Sequence, residues 1–189
     1  MSPNTIRHST ILRRELTALL IIDIQEKISR VMLSPEILIQ NTIKLIEGFK
    51  ILGSPIFITE QYPKGLGETE NIIKESLKGV VPIQKLSFSC AGAGDLFDLL
   101  KYKRITQVAV AGIESHVCVQ QTVLDLIANG FRVSLAADAC SSRKEKDYNI
   151  ALERMRTAGA IVTTTEAILF ELLNVCGTDE FKQISKIVK

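Results

Sequence analysis

ALLII, at Ala18–Ile22, is five apolar residues in a row, and Asp23 follows at once. A strand with one wet face alternates apolar and polar side chains; an unbroken run suits a strand covered on both faces, as in a parallel sheet. Similar runs recur at Pro55–Ile58, Val108–Ala111, Val133–Ala137 and Ala160–Val162. Helical stripes lie between them. Leu38, Leu45, Phe49 and Leu52 mark one, and Val119, Val123, Leu126 and Ile127 mark another that ends at Gly130. Tyr148, Leu152 and Met155 give a third, stopping at Gly159. Ser142 and Glu145 have capping-box spacing ahead of that third helix. Thr163 and Glu166 have it ahead of a fourth, carrying Ile168, Leu169, Leu172 and Leu173. Phe181, Ile184 and Ile187 suggest a short final helix.

Strands alternating with helices imply right-handed crossovers, and so a three-layer α/β/α sandwich around a mostly parallel, doubly wound, Rossmann-like sheet. Such folds place ligands beyond the carboxyl ends of the strands. The 189 residues suit one domain, 1–189, with a polar extension at 1–14. That extension is basic, which leaves an organellar-targeting reading open beside the default of a soluble cytoplasmic protein. No apolar stretch approaches the length needed to span a bilayer, so no membrane association is expected. With 23 basic against 21 acidic side chains, the charge is too balanced for a dedicated nucleic-acid binder. Two histidines, His8 and His116, make a His-rich metal centre hard to build, and neither metal nor cofactor is expected.

Three polar residues fall at strand ends. Asp23 follows the first run and could serve as acid or base, although an isolated Asp there reads as readily as an N-cap or turn residue. Cys118 lies in GIESHVCV (Gly112–Val119), in the first helical turn, where the helix dipole and free N–H groups favour a thiolate and could hold an oxyanion. Alone it reads as a small buried hydrophobe. Lys85 follows Val80-Val81-Pro82-Ile83; alone it is a surface lysine, but beside the other two it would stabilise a thiolate.

In combination, LLIIDIQE (Leu19–Glu26), KLSFS (Lys85–Ser89) and GIESHVCV resemble the isochorismatase-like cysteine hydrolases. AADACSSR (Ala136–Arg143) and ALERMRTAGAIVTT (Ala151–Thr164) also fit, and TEQYPKGLG (Thr59–Gly67) resembles the isochorismatase domain-containing subgroup. The resemblance implies a triad of Cys118, Asp23 and Lys85: Asp23 takes the thiol proton, Cys118 attacks a carbonyl carbon, and Lys85 orients Asp23. It implies an oxyanion site at the N–H groups of Glu114 and Cys118, with a cis peptide between Ile113 and Glu114. Gln25, Glu60, Gln61 and Tyr62 would line the substrate pocket. It also implies a small-molecule substrate and a homo-oligomer.

Departures from the family pattern narrow the chemistry. Nicotinamidases of the superfamily hold a metal with histidines, and Thr59–Lys85 contains none. Isochorismate, a vinyl ether, needs no cysteine, so Cys118 favours a C–N or other acyl-type bond. His116 reads as a pocket-wall or capping residue, because positions two apart at a helix start do not face each other. Gly65 and Gly67 suggest a mobile loop near the cleft. Cys90, Cys140 and Cys176 read as structural thiols, and Arg143–Asp147 as a solvated helix start. The expectation is a metal-independent cysteine hydrolase of a small amide or related acyl compound. The alternatives are a non-catalytic or regulatory protein acting through protein contacts and, less favoured, a nuclease.

Overall fold

The computed structural model describes residues 6–189. Six strands form one sheet: β1 (Thr17–Ile22), β2 (Ile56–Gln61), β3 (Ile83–Lys85), β4 (Gln107–Ile113), β5 (Arg132–Ser141) and β6 (Ile161–Thr163). Their order is β3-β2-β1-β4-β5-β6 and every pairing is parallel. The helices are α1 (Glu26–Ser29), α2 (Pro35–Leu52), α3 (Pro63–Leu66), α4 (Asn71–Ser76), α5 (Leu96–Tyr102), α6 (Gln120–Ala128), α7 (Glu145–Thr157), α8 (Thr165–Leu173) and α9 (Asp179–Val188). This is the three-layer α/β/α sandwich. The unbroken run in β1 explains it: Leu19 and Ile21 pack into one core with α2, α8 and α9, and Leu20 and Ile22 into another with α5, α6 and α7. Both faces are dry, so both must be apolar.

Several local expectations give way. Ser142 does not cap α7; Lys144 holds that position without a side-chain bond, because the buried Ser142 hydroxyl is committed to the His116 ring at 3.0 Å. The α8 cap is Thr164, whose side chain accepts from the Ala167 N–H, while Thr163 is the last residue of β6. Strand β5 runs beyond Ala137. Its register against β4 jumps, Leu135 facing Val110 but Cys140 facing Gly112, so Ala136–Ala139 bulge. Asp138 in that bulge accepts from the Thr165 N–H and hydroxyl at 2.8 and 2.9 Å, fixing the start of α8.

The described part of the N-terminal extension is docked. Leu12 is buried, its N–H donates to Glu171 at 2.9 Å, and the Arg13 N–H donates to the Gln107 side chain at 2.9 Å. The targeting reading concerns a stretch of which residues 1–5 lie outside the described ones. Among the described residues, no helix is long and apolar enough to cross a membrane.

The strand order reverses between β1 and β4, and Gly112 sets how closely these two approach. It pairs with Ile22, and a Cβ added to it would lie 2.5 Å from the Ile22 carbonyl oxygen at a φ of +155°. Backbone cannot swing aside as a side chain can. Gly112→Ala should therefore destabilise by about 2 kcal/mol or more. A urea midpoint equal to the parent's would refute this.

Candidate active site

The reversal opens a crevice at the carboxyl ends of β1 and β4. Asp23 leaves β1 in the left-handed region, φ 56°, its N–H donating to the Thr59 carbonyl at 3.2 Å. A non-glycine residue there costs about 1–2 kcal/mol, which the surrounding bonds must offset. One carboxylate oxygen accepts from the Thr59 hydroxyl at 2.8 Å and the other from Lys85 Nζ at 2.6 Å. Lys85 ends β3 and is completely enclosed. Besides Asp23, its ammonium faces Gln61 Oε1 at 2.9 Å and the Phe88 and Ser87 carbonyls at 3.0 and 3.2 Å. Its three protons are thus shared among four acceptor oxygens.

Beyond β4 the chain turns at Glu114, φ 56° and ψ 59°, into one π-helical turn, Ser115–Val119, that runs on into α6. The Glu114 carbonyl accepts from the Val117 and Val119 N–H groups at 2.8 and 3.4 Å. Cys118 sits on this turn, its thiol in the field of the Asp23 carboxylate and its carbonyl accepting from the Thr122 hydroxyl at 2.7 Å. The structure thus brings Asp23, Lys85 and Cys118 together, at 3, 4 and 6% exposure.

The thiol is not the thiolate that a helix start and a nearby lysine suggested. Burial pushes its pKa well above the ordinary cysteine range, and the negative charge of Asp23 adds to the rise; Lys85 opposes without cancelling it. The resting group is a protonated thiol beside a carboxylate. Cys90, packed in the same core and 3.8 Å from the Thr59 hydroxyl, is likewise pushed up, to about 11, first by burial. Cys140 rises to about 12, also through burial.

Because these folded values lie above 9.0, the fold holds protons that the unfolded chain releases. Their stabilisation is complete below pH 9 and drains away as pH climbs through 9 to 11 and beyond. Cys90 alone should cost on the order of 2–3 kcal/mol between pH 9 and 11. Urea midpoints at pH 8 and 11 should fall less in Cys90→Ala than in the parent; equal falls would remove the idea.

The remaining expected site residues divide. The Ile113–Glu114 bond is trans, as is every peptide bond among the described residues, and the left-handed Glu114 makes the reversal instead. The Ile113 side chain packs into the core with Ala111, so it can offer the crevice only backbone. Glu60 is not a pocket residue. Strand β2 continues to Gln61, alternation turns Glu60 away from Thr59 and Gln61, and its carboxylate accepts from the Thr69 N–H and hydroxyl, both at 2.8 Å. Gln25 is fully buried and spent on backbone: Nε2 donates to the Gln61 and Gly67 carbonyls, and Oε1 accepts from the Gln61 N–H. Gln61 holds Lys85. Only Tyr62 is half exposed, beside Leu86 and Ser87, at the rim of a cavity of about 510 Å³. The expected mobile loop is one helical turn, α3, tied down by Gln25 at Gly67 and by Lys27 at Gly65.

Sequence reasoning missed Thr59 and Thr122. Thr59 lies two residues before Gln61 on the same strand face, and strand alternation was the signal that could have found it. Arg143, read as a solvated helix start, forms an ion pair with Glu114. His116 is half-buried, its Nε2 at 3.6 Å from Glu114 and 4.0 Å from Asp147.

Comparison with known proteins bears on this geometry. Residues 17–167 match the family model described as the isochorismatase domain. Isochorismatase domain-containing protein 1 of Salmo salar is 42% identical over 147 residues, which are 77% of this chain and 51% of that protein. The match thus spans about half the length of that relative. Isochorismatase domain-containing protein 2 of Rattus norvegicus is 36% identical over 176 residues, 93% of this chain and 82% of its own. Among solved structures, one described as the MAR1 ribonuclease of Caenorhabditis elegans superposes with a TM-score of 0.88 at 36% identity, covering 94% of this chain and 91% of its own.

Proposed function

The chain belongs to the isochorismatase family, and from that premise we propose that it is a hydrolase whose Cys118 attacks a small amide or related acyl compound. The observation that carries this reading is the buried cluster: the Cys118 thiol lies by an Asp23 carboxylate that Lys85 and Thr59 hold at 2.6 and 2.8 Å, all three triad residues being buried. A raised thiol pKa suits attack coupled to proton transfer. The thiol stays neutral while substrate enters, and its proton passes to Asp23 as Sγ bonds to the carbonyl carbon. The carbonyl π pair moves to oxygen, where the N–H groups of Glu114 and Cys118 are the candidate donors. Collapse breaks the C–N bond, and Asp23 returns its proton to the leaving amine. Water then attacks the thioester with Asp23 as base, releasing acid and free thiol.

Lys85 donates to Asp23 and does not itself touch the reacting carbon; its enclosure keeps the carboxylate oriented. Tyr62, Leu86 and Phe88, all exposed around the carboxyl ends of β2 and β3, are the candidate selectors of substrate shape. A homo-oligomer belongs to the same reading and is checked by light scattering.

The test is a panel of amides, ureides and acyl esters incubated with the full chain and read by intact mass. A stoichiometric acyl adduct mapped to Cys118 is expected for at least one compound class. Absence of any adduct or product across the panel would favour a binding or regulatory protein. The name of the Caenorhabditis elegans relative, 36% identical, adds one arm to the panel: a short single-stranded RNA. Cleavage that survives Cys118→Ala would replace the acyl reading with phosphodiester chemistry.

A further inference from the structure

The turn that carries Cys118 is also held from outside the cluster. Glu114 supplies two anchors from one residue. Its carbonyl closes the turn on the Val117 and Val119 N–H groups, and its carboxylate accepts from Arg143 Nε at 2.9 Å and Nη2 at 3.2 Å. The backbone at this residue is left-handed, so nothing intrinsic to a glutamate keeps it there. The chain around Arg143 is stitched to the same turn: the Ser115 hydroxyl donates to the Ser141 carbonyl at 2.9 Å, and the His116 ring meets the Ser142 hydroxyl at 3.0 Å.

We propose that Arg143 is a positioning residue, which through its two-pronged ion pair with Glu114 holds the left-handed turn that sets the Cys118 thiol against Asp23. The inference rests on Cys118 being the nucleophile, as read above. Exposed ion pairs usually contribute little, and the Arg143 side chain is 56% exposed. This pair differs because its carboxylate is only 9% exposed. Without the guanidinium, Glu114 would be left as a nearly buried charge faced only by the His116 ring, Nε2 at 3.6 Å and outside hydrogen-bond reach, and its route to water is rotation of its own strained backbone. That rotation would carry the Val117 and Val119 bonds, and Cys118 between them, away from Asp23. A lysine could supply charge but not the forked geometry.

The experiment measures two reactions on the full chain: acylation of Cys118 by p-nitrophenyl acetate, and alkylation of each cysteine by chloroacetamide at pH 8, both mapped by peptide mass. In Arg143→Gln, acylation should fall by about tenfold or more. Alkylation of Cys118 should rise while Cys90 and Cys140 keep their parent rates. Glu114→Gln should behave alike, the double variant should lose no more than either single one, and Arg143→Lys should recover only part. Parent-rate acylation in Arg143→Gln would overturn the proposal, as would losses that multiply in the double variant. Faster alkylation of all three buried thiols together would overturn it too, because it marks general loosening. If the parent takes no acyl group on Cys118, the hydrolase reading fails separately, and the alkylation pattern alone decides the role of Arg143.

Discussion

In Cys118→Ala, turnover of any substrate found by the acyl panel should fall by about 10⁴-fold or more, and the intact-mass adduct should vanish. Removing a nucleophile that works as one unit with its base abolishes nearly the whole chemical advantage of the site, leaving only binding and oxyanion donors. The fold should survive. Cys118 contributes one sulfur atom to a core whose neighbours, Val119, Val123 and Leu126, are unchanged, so the thermal midpoint should move by a few degrees at most. Cys118→Ser sharpens the result, since an alcohol in the same place beside Asp23 keeps the geometry and loses the nucleophilicity. Undiminished turnover in either variant, with a substrate shown to react in the parent, would end the covalent mechanism.

The second large effect is on stability. Lys85→Met should destabilise by about 3–5 kcal/mol, on the order of 10 °C in thermal midpoint for a chain of this size. Methionine fits the volume of the lysine stem and removes the charge together with its N–H donors. What it leaves is Asp23 walled in with a single hydroxyl partner, Thr59, together with Gln61 Oε1 and the Ser87 and Phe88 carbonyls stripped of their donor. The paired variant Asp23→Asn with Lys85→Met should recover much of the loss, because it removes the orphaned charge, while staying inactive. Thermal or urea denaturation of the two proteins separates these cases. A Lys85→Met chain as stable as the parent would show that Nζ contributes no net stabilisation.

The parallel sheet was legible because the runs Ala18–Ile22, Pro55–Ile58 and Val108–Ala111 are apolar without interruption, and Asp23 stood out as the polar residue that ended the first. Strand β3 was not, being three residues long at the sheet edge, so Lys85 alone read as a surface lysine and gained weight only beside Asp23 and Cys118. Glu60 and Gln61 were misread for one cause. A buried strand that ends in polar residues looks in sequence like a strand that has already ended, and only alternation carried past Ile58 separates Gln61, facing Lys85, from Glu60, facing Thr69. The charge state of Cys118 was illegible in principle. Helix dipole and lysine favour the thiolate; enclosure and the Asp23 charge oppose it, and which side prevails depends on how much water reaches the sulfur.

Asp23, Lys85 and Cys118 stand at or just beyond the ends of β1, β3 and β4, and the spacing between those ends is set by strand register. Tyr62, Leu86 and Phe88 belong to the connections beyond β2 and β3. On the proposed reading, reactivity and selectivity are only partly separable. The segment after Gln61 can vary with the substrate, whereas the one after Lys85 can change side chains but must keep the backbone path that sets the Ser87 and Phe88 carbonyls on the Lys85 ammonium.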